Sequence, residues 1–252
     1  MKPLPVDLHE SLFVAEAKDN GISRTQLRGR SWQPVTYGLY APAAIERSRE
    51  AAYRMVSRIL PDDAMAAHLT AARLLGLWLP TTPESLPTLA SLPPGRERPE
   101  RAGLYVFRSR AALSDRLVTA GLSVVRPAVC LGQLAEDLSL LDLIVAIDGA
   151  LHARLTTRCE IEASIRRRQR GLPRLRQALM FCDDRSESPW ETILRLLHVW
   201  SHIEVEPQHV IRSADGEPLA RADLLISWDH EVVGVRRCSA SRTPPTPTRP
   251  RA

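Results

Sequence analysis

The sequence predicts a mixed α+β chain with four successive regions. Helical and strand periodicities alternate along its 252 residues, and 44% hydrophobic with 25% charged residues is an ordinary globular composition. We expect a winged helix-turn-helix in residues 1–60 and a largely helical α+β region in 61–182. An α/β region in 183–234 and a disordered tail in 235–252 complete the chain. The proline-rich stretch 80–99 predicts a linker inside the second region.

The N-terminal prediction depends on two short helices and a hairpin. Apolar spacing predicts a helix over 9–19 that ends at Asn20-Gly21, and Ser23 can cap a second helix that ends at Gly29. Alternation from Trp32 to Tyr40 predicts two strands that turn near Tyr37-Gly38. Helix, capped helix and hairpin are the parts of a winged helix-turn-helix. A small helical module for protein–protein contact is the alternative.

Winged helix-turn-helix modules commonly bind DNA, so we expect double-stranded DNA as the partner. Residues on the second helix and the following loop are the expected contacts, with Gln26 and Arg28 reaching base edges and the others phosphates. These candidates are Ser23, Arg24, Gln26, Arg28 and Arg30. We expect the aromatic residues Trp32, Tyr37 and Tyr40 to lie in the core of the module.

The middle region predicts helices at 45–60, 64–77, 127–138, 140–152 and 158–168, with strands at 103–109 and 122–126. An arginine run, Arg166–Arg170, ends the last of these helices. A solvated helix end is the favoured interpretation because cations suit helix C-termini, and a nucleic-acid backbone contact is the alternative.

The C-terminal region begins with a helix start signal. Ser188 can cap a helix that has Pro189 at its first position, and strands are predicted at 207–212, 222–227 and 231–234. From Cys238 onward the residues lack apolar periodicity and cannot form a core. His198 and His202 are spaced four apart, but no metalloprotease motif accompanies them, so we do not expect a metal there.

The net charge bears on the DNA-binding prediction, and the cysteines bear on the predicted compartment. The net charge of +5 equals the five arginines that follow Val235, a stretch without acidic residues, so it indicates no DNA-binding face elsewhere. The four cysteines lack paired spacing, and no apolar leader or membrane span is present. We therefore expect a cytoplasmic protein with no membrane partner.

Several segments resemble known families. Residues 20–29 with Trp32 and 38–40 resemble the N-terminal winged helix of AbiEi-type antitoxins, and 68–77 is similar to the helix that follows it there. Residues 187–195, Gly216, 222–226 and 232–234 resemble the very-short-patch-repair-like endonucleases of the PD-(D/E)xK superfamily, a restriction-endonuclease-like fold. The resemblance implies that Glu191, with Glu187 as an alternative, and Asp223 hold Mg²⁺ for catalysis.

The sequence departs from this endonuclease pattern at the active site. The family continues after the last strand with Glu-Tyr-Asp-Gly, whereas this chain has Val235-Arg-Arg-Cys238, so one carboxylate is missing and the domain is incomplete. Read one nucleotide later, allowed codons for residues 235–242 spell Tyr-Asp-Gly-Ala-Val-His-Arg-Glu. Our hypothesis is that the tail is an out-of-frame product, which the coding DNA tests.

The favoured function is therefore a DNA-binding, antitoxin-like transcriptional regulator with a degenerate nuclease domain and a cognate toxin as partner. The alternative is a Mg²⁺-dependent DNA endonuclease that needs only Glu191 and Asp223. A third interpretation is a non-functional product that folds poorly. The sequence predicts no oligomeric state.

Overall fold

A computed structural model of the chain describes residues 11–44, 49–83, 86–109, 113–228 and 231–235. The fold is mixed α+β, as the sequence predicts, and the chain divides into two compact units, Met1–Asp184 and Arg185–Ala252. No helix in the described ranges has the length and apolar character needed to cross a membrane.

The first unit opens with two short helices and a three-stranded antiparallel sheet of order β1-β3-β2. The elements are β1 (Leu12–Phe13), α1 (Val14–Asp19), α2 (Arg24–Leu27), β2 (Trp32–Thr36) and β3 (Leu39–Pro42). The helix predicted over 9–19 is wrong at its start, because Leu12 and Phe13 pair with Tyr40 and Leu39 instead. Tertiary strand pairing outweighs local helical spacing here. The core of these elements contains Leu12, Ala17, Leu27 and Trp32.

A five-stranded mixed sheet of order β6-β5-β4-β8-β7 follows. The strands of this sheet are β4 (Met65–Ala66), β5 (Thr88–Leu92), β6 (Leu104–Arg108), β7 (Arg116–Thr119) and β8 (Leu122–Val125). Helix α3 (Arg49–Ser57) precedes β4, and α4 (His68–Leu74) follows it. The linker expected over 80–99 is wrong in its middle, because β5 pairs with both β4 and β6. Prolines flank β5 without interrupting it, and its last three residues are buried. Neither β5 nor β4 was predicted from the sequence.

Four helices complete the first unit: α5 (Pro127–Asp137), α6 (Leu140–His152), α7 (Arg158–Ser164) and α8 (Leu172–Phe181). Helix α6 is buried continuously from Leu143 to Ala150, which fits its apolar sequence. The predicted extension of α7 to Arg168 is wrong, since Ile165 has extended backbone angles and ends the helix. The arginine run therefore lies in the loop between α7 and α8, and the solvated helix end is not its position.

The described part of the second unit contains one helix and three antiparallel strands of order β11-β10-β9. They are α9 (Pro189–Trp200), β9 (Val205–Arg212), β10 (Pro218–Trp228) and β11 (Glu231–Val235). Ser188 caps α9 and Pro189 opens it, as predicted. Val235 belongs to β11 and pairs with Leu224, so the tail does not begin at 235. The rest of the predicted tail, 236–252, lies outside the described residues.

Gly171 fixes the start of α8 and should not tolerate a side chain. Its φ is +69°, and a Cβ atom there would lie 2.6 Å from the backbone carbonyl of Ala135. We expect Gly171→Ala to lower the free energy of unfolding by at least about 2 kcal/mol, because backbone strain and a steric clash combine. Denaturant unfolding followed by circular dichroism measures this change.

Gly95→Ala is the matched control for that substitution. Gly95 also has a positive φ, +90°, but a Cβ atom there meets nothing within 4 Å. It should cost about 1 kcal/mol from backbone strain alone. Equal losses in the two variants would contradict the steric account of Gly171.

Candidate functional site

The predicted DNA-contacting residues lie on and after α2, where two of them hold the helix start. The Ser23 hydroxyl accepts a hydrogen bond from the Gln26 backbone N–H at 3.2 Å, and the Ser23 N–H donates to Gln26 Oε1 at 2.7 Å. This reciprocal capping satisfies two backbone groups at a helix end. Ser23 and Gln26 therefore have a structural role, and the Gln26 amide nitrogen is the part that remains available.

The three arginines of this segment are exposed. Arg24, Arg28 and Arg30 all point to solvent, and within the described part of the chain none of them forms an ion pair. No acidic residue occurs between Arg24 and Arg30, so the segment has a local positive charge that the whole-chain balance conceals. The arrangement can attract an anionic polymer without first breaking an internal contact.

The β2–β3 hairpin follows this segment in the sequence, and its tip is exposed. Tyr37 is 89% exposed, so its predicted place in the core is wrong, whereas Trp32 is buried and Tyr40 is half-buried. The reason is the turn itself, because Gly38 has a φ of +79° and Tyr37 precedes it at the apex. A tyrosine at this position contributes nothing to the core and is available for contact.

The side chain of Arg58, the residue after α3, anchors the N-terminal elements. Arg58 donates to Glu16 Oε1 and to the Ser11 carbonyl, and its guanidinium lies 5.2 Å from the centre of the Phe13 ring. Glu16 in turn accepts from the Phe13 N–H at 2.8 Å and so caps α1. These contacts fix α1, and α1 packs against α2, so the exposed segment has a defined position.

The predicted catalytic residue Glu191 is engaged by three donors. Its carboxylate accepts from the Ser188 hydroxyl at 2.7 Å, from the Glu187 N–H at 2.9 Å and from Gln208 Nε2 at 2.9 Å. The first two bonds cap α9, and the third ties the helix to β9. A metal ion at Glu191 would have to compete with these donors for the same oxygen atoms.

Glu187 and Asp223 flank the same region of the second unit. Glu187 forms an ion pair with Arg221 at 2.8 Å, and Arg221 lies two residues before Asp223 on β10. Residues two apart on a strand share a face, so this arginine lies on the face of Asp223 and opposite the buried Ala222 and Leu224. Asp223 itself is half-buried and has an interaction partner. The structure thus brings all three predicted acidic residues to one region.

Gln208 belongs to this region and was not predicted from the sequence. The strand pairs Ala222–His209 and Leu224–Pro207 place it directly opposite Asp223 on the neighbouring strand. Its φ is +56°, which is strained for a residue with a side chain, and its buried Oε1 has no hydrogen-bond partner among the described residues. No sequence signal marks a left-handed residue inside a strand.

The described residues contain no group of three or more His, Cys, Asp or Glu side chains placed to hold a metal ion. Of the histidine pair, His198 bonds through Nδ1 to the Leu194 carbonyl at 2.8 Å, as expected for a residue inside a helix. A Mg²⁺ site at Glu191 and Asp223 therefore stays a prediction. Arg221 and the Gln208 amide lie next to these two carboxylates.

Comparisons with known proteins give distant relatives. The chain is 28% identical over 206 residues to the "Uncharacterized protein Rv2248" of Mycobacterium tuberculosis strain H37Rv and to "Uncharacterized protein MT2308" of strain CDC 1551. The matched part is 79% of this chain and 73% of each relative. No family model matches the chain.

One solved structure has a similar fold. The crystal structure of the RV2827C protein from Mycobacterium tuberculosis matches with a TM-score of 0.50 and 18% identity, covering 82% of this chain and 85% of that one. At this identity the likeness concerns the fold alone.

The strained backbone at Gln208 predicts that glycine stabilises this strand position relative to alanine. Gln208→Gly and Gln208→Ala both lose the amide bond to Glu191, and they differ only in how well they accept a φ of +56°. We expect the glycine variant to be more stable by about 1 kcal/mol, although glycine normally weakens a strand. Denaturant unfolding of both variants gives the difference, and a more stable alanine variant would contradict the assigned backbone.

Proposed function

We propose that this protein is a DNA-binding transcriptional regulator that contacts double-stranded DNA with α2, the loop after it and the β2–β3 hairpin. The observation that carries the proposal is the exposure of Arg24, Arg28 and Arg30 on a segment without acidic residues. The order of two helices and a hairpin is that of a winged helix-turn-helix, in which the second helix enters the major groove and the hairpin lies alongside.

The length of α2 limits what it reads. Four residues form one turn and span about 6 Å, roughly half the width of the major groove. We assign Gln26 and Arg28 to base edges, and Arg24 and Arg30 to phosphates. Tyr37 at the exposed hairpin tip adds a second contact on the backbone or in the minor groove. Phosphate contacts therefore supply most of the affinity, and binding depends strongly on salt.

We further propose that this activity is that of an antitoxin-like repressor in the cytoplasm, with a cognate toxin as protein partner. The similarity of residues 20–29 and 68–77 to AbiEi-type antitoxins supports the proposal. Cys130 and Cys159 form no disulfide bond with any residue that the structure describes, which suits a reducing compartment.

Substitution of two arginines tests the DNA interface. A double-stranded fragment selected from a random pool by the full-length protein serves as the probe for mobility shifts at several salt concentrations. We expect Arg24→Ala/Arg30→Ala to weaken binding at least about tenfold and to reduce the salt slope by about 2, since each of these two phosphate contacts accounts for about 0.9 of that slope.

Arg176→Ala is the matched control, because Arg176 is an exposed arginine on α8 in the same unit. Its affinity should lie within about twofold of the unchanged protein. Equal losses in the control and the double variant would mean that net charge alone drives binding, and an unchanged double variant would refute the interface.

For the second unit, we propose a nuclease-like domain that does not hydrolyse DNA. Three considerations support this: the three donors on Glu191, the Arg221 side chain on the face of Asp223, and arginines in the sequence where the endonuclease family has a carboxylate. A cation near the site opposes Mg²⁺, and a two-carboxylate site leaves no further group to orient the attacking water.

Plasmid nicking in the presence of Mg²⁺ tests this proposal. We expect no cleavage above background and identical traces for the unchanged protein and Asp223→Ala. Cleavage by the unchanged protein that Asp223→Ala abolishes would establish the alternative, a Mg²⁺-dependent endonuclease that uses Glu191 and Asp223.

A further inference from the structure

A cavity of about 610 Å³ lies in the first unit, and its lining residues fall between His68 and Arg170 in the sequence. Among its lining residues are five arginines, Arg108, Arg166, Arg167, Arg168 and Arg170, and one acidic residue, Glu136. Its volume is within the range of small-molecule sites, about 300–1,000 Å³. The cavity is therefore of ligand size and strongly positive.

Three of these arginines have their charge uncompensated within the described residues. Arg166 pairs with Asp115 at 2.6 Å, whereas Arg167, Arg168 and Arg170 form no ion pair or hydrogen bond with any residue that the structure describes. Like charges concentrated in one cavity repel one another, and a bound anion removes that repulsion. The planar guanidinium group matches phosphate oxygens in particular, because it can donate two parallel hydrogen bonds.

The loop that carries the arginines is held in place from both ends. Gln169 accepts from the Arg166 N–H at 3.2 Å, and its amide packs on Gly132 so closely that a Cβ atom there would lie 2.6 Å from Nε2. Gly171 rests against the Ala135 backbone at the other end. The backbone of this loop is therefore held beside the cavity, which Arg167, Arg168 and Arg170 line as exposed side chains.

The lining also contains a buried histidine in a strained conformation. His68 has a φ of +51° and stacks on Phe107 with ring centres 4.0 Å apart. Its Nδ1 lies 2.8 Å from Asp137 Oδ2, and its N–H donates to Gln133 Oε1 at 3.0 Å. Burial raises the pKa of the Cys130 thiol, which stays protonated and donates to the His68 carbonyl.

These contacts over-determine the position of His68. A non-glycine residue in the left-handed region costs about 1–3 kcal/mol, and such strain concentrates at ligand sites. Because Asp137 holds Nδ1, the ring is fixed with Nε2 as its second polar atom. A cavity lined by both a stacked His68–Phe107 pair and arginines suits the two halves of a nucleotide, a flat base and a phosphate.

We propose that this cavity binds a mononucleotide-sized phosphorylated ligand, whose phosphate contacts Arg167 and Arg170 and whose organic part lies against the wall formed by His68 and Phe107. The site differs from the DNA interface of the proposed function, and neither depends on the other. A small phosphorylated ligand fits better than a nucleic-acid strand because the arginines line a cavity and not a continuous surface stripe.

Isothermal titration calorimetry on the full-length chain tests the proposal with four probes: 5′-AMP, adenosine, inorganic phosphate and a double-stranded DNA fragment. We expect AMP to bind, with adenosine and inorganic phosphate each at least tenfold weaker. Arg167→Ala/Arg170→Ala should weaken AMP at least tenfold, and Arg167→Lys/Arg170→Lys should recover part of that loss because the charge is kept. Arg176→Ala should bind AMP within twofold of the unchanged protein.

Four results would overturn the proposal. AMP failing to bind at millimolar concentration would show that the cavity is not a nucleotide site. Adenosine or phosphate binding as tightly as AMP would show that one half of the ligand contributes nothing. An equal loss in Arg176→Ala would indicate non-specific attraction. DNA that displaces AMP and loses affinity in the Arg167→Ala/Arg170→Ala variant would assign the cluster to a nucleic-acid backbone.

Discussion

One interaction positions both the α2 segment and the acidic residues around α9. In each helix a side chain in the first turn accepts hydrogen bonds from the residues just before the helix. Gln26 does this for α2 and Glu191 does it for α9, each with a serine three residues earlier as its partner. At α2 the capping orders a one-turn helix, too short to be stable alone, and so fixes the backbone from which Arg24 and Arg28 project. At α9 the same device occupies a carboxylate that an active nuclease would need for its metal.

The two caps differ in the chemistry that they leave available. At α2 the capping residue is an uncharged glutamine, and the neighbouring Arg24, Arg28 and Arg30 are exposed, so the segment keeps a positive surface. A capping glutamate is itself the group of interest, and Gln208 and the nearby Arg221 compete further with a cation. We therefore propose DNA binding for the first unit and no catalysis for the second.

Local signals in the sequence predicted local structure well. Ser23, Ser188 and Pro189 mark helix starts through interactions within four residues, and the structure confirms them. Strands β1 and β5 were missed because they are defined by distant partners, and prolines around β5 suggested a linker. The acidic residues were predicted by resemblance, but Gln208 and the cavity around His68 arise from tertiary contacts over many residues. The arginine run was visible in the sequence, and only the fold shows that it lines a cavity.

Amide chemical-shift mapping during a titration with double-stranded DNA is the sharpest test of the proposed DNA interface, because it reports on every part of the chain in one experiment. We expect salt-sensitive shifts concentrated in residues 23–38, across α2, the following loop and the hairpin tip at Tyr37. Shifts concentrated in residues 187–223, with residues 23–38 unaffected, would contradict the proposal and would assign DNA contact to the second unit.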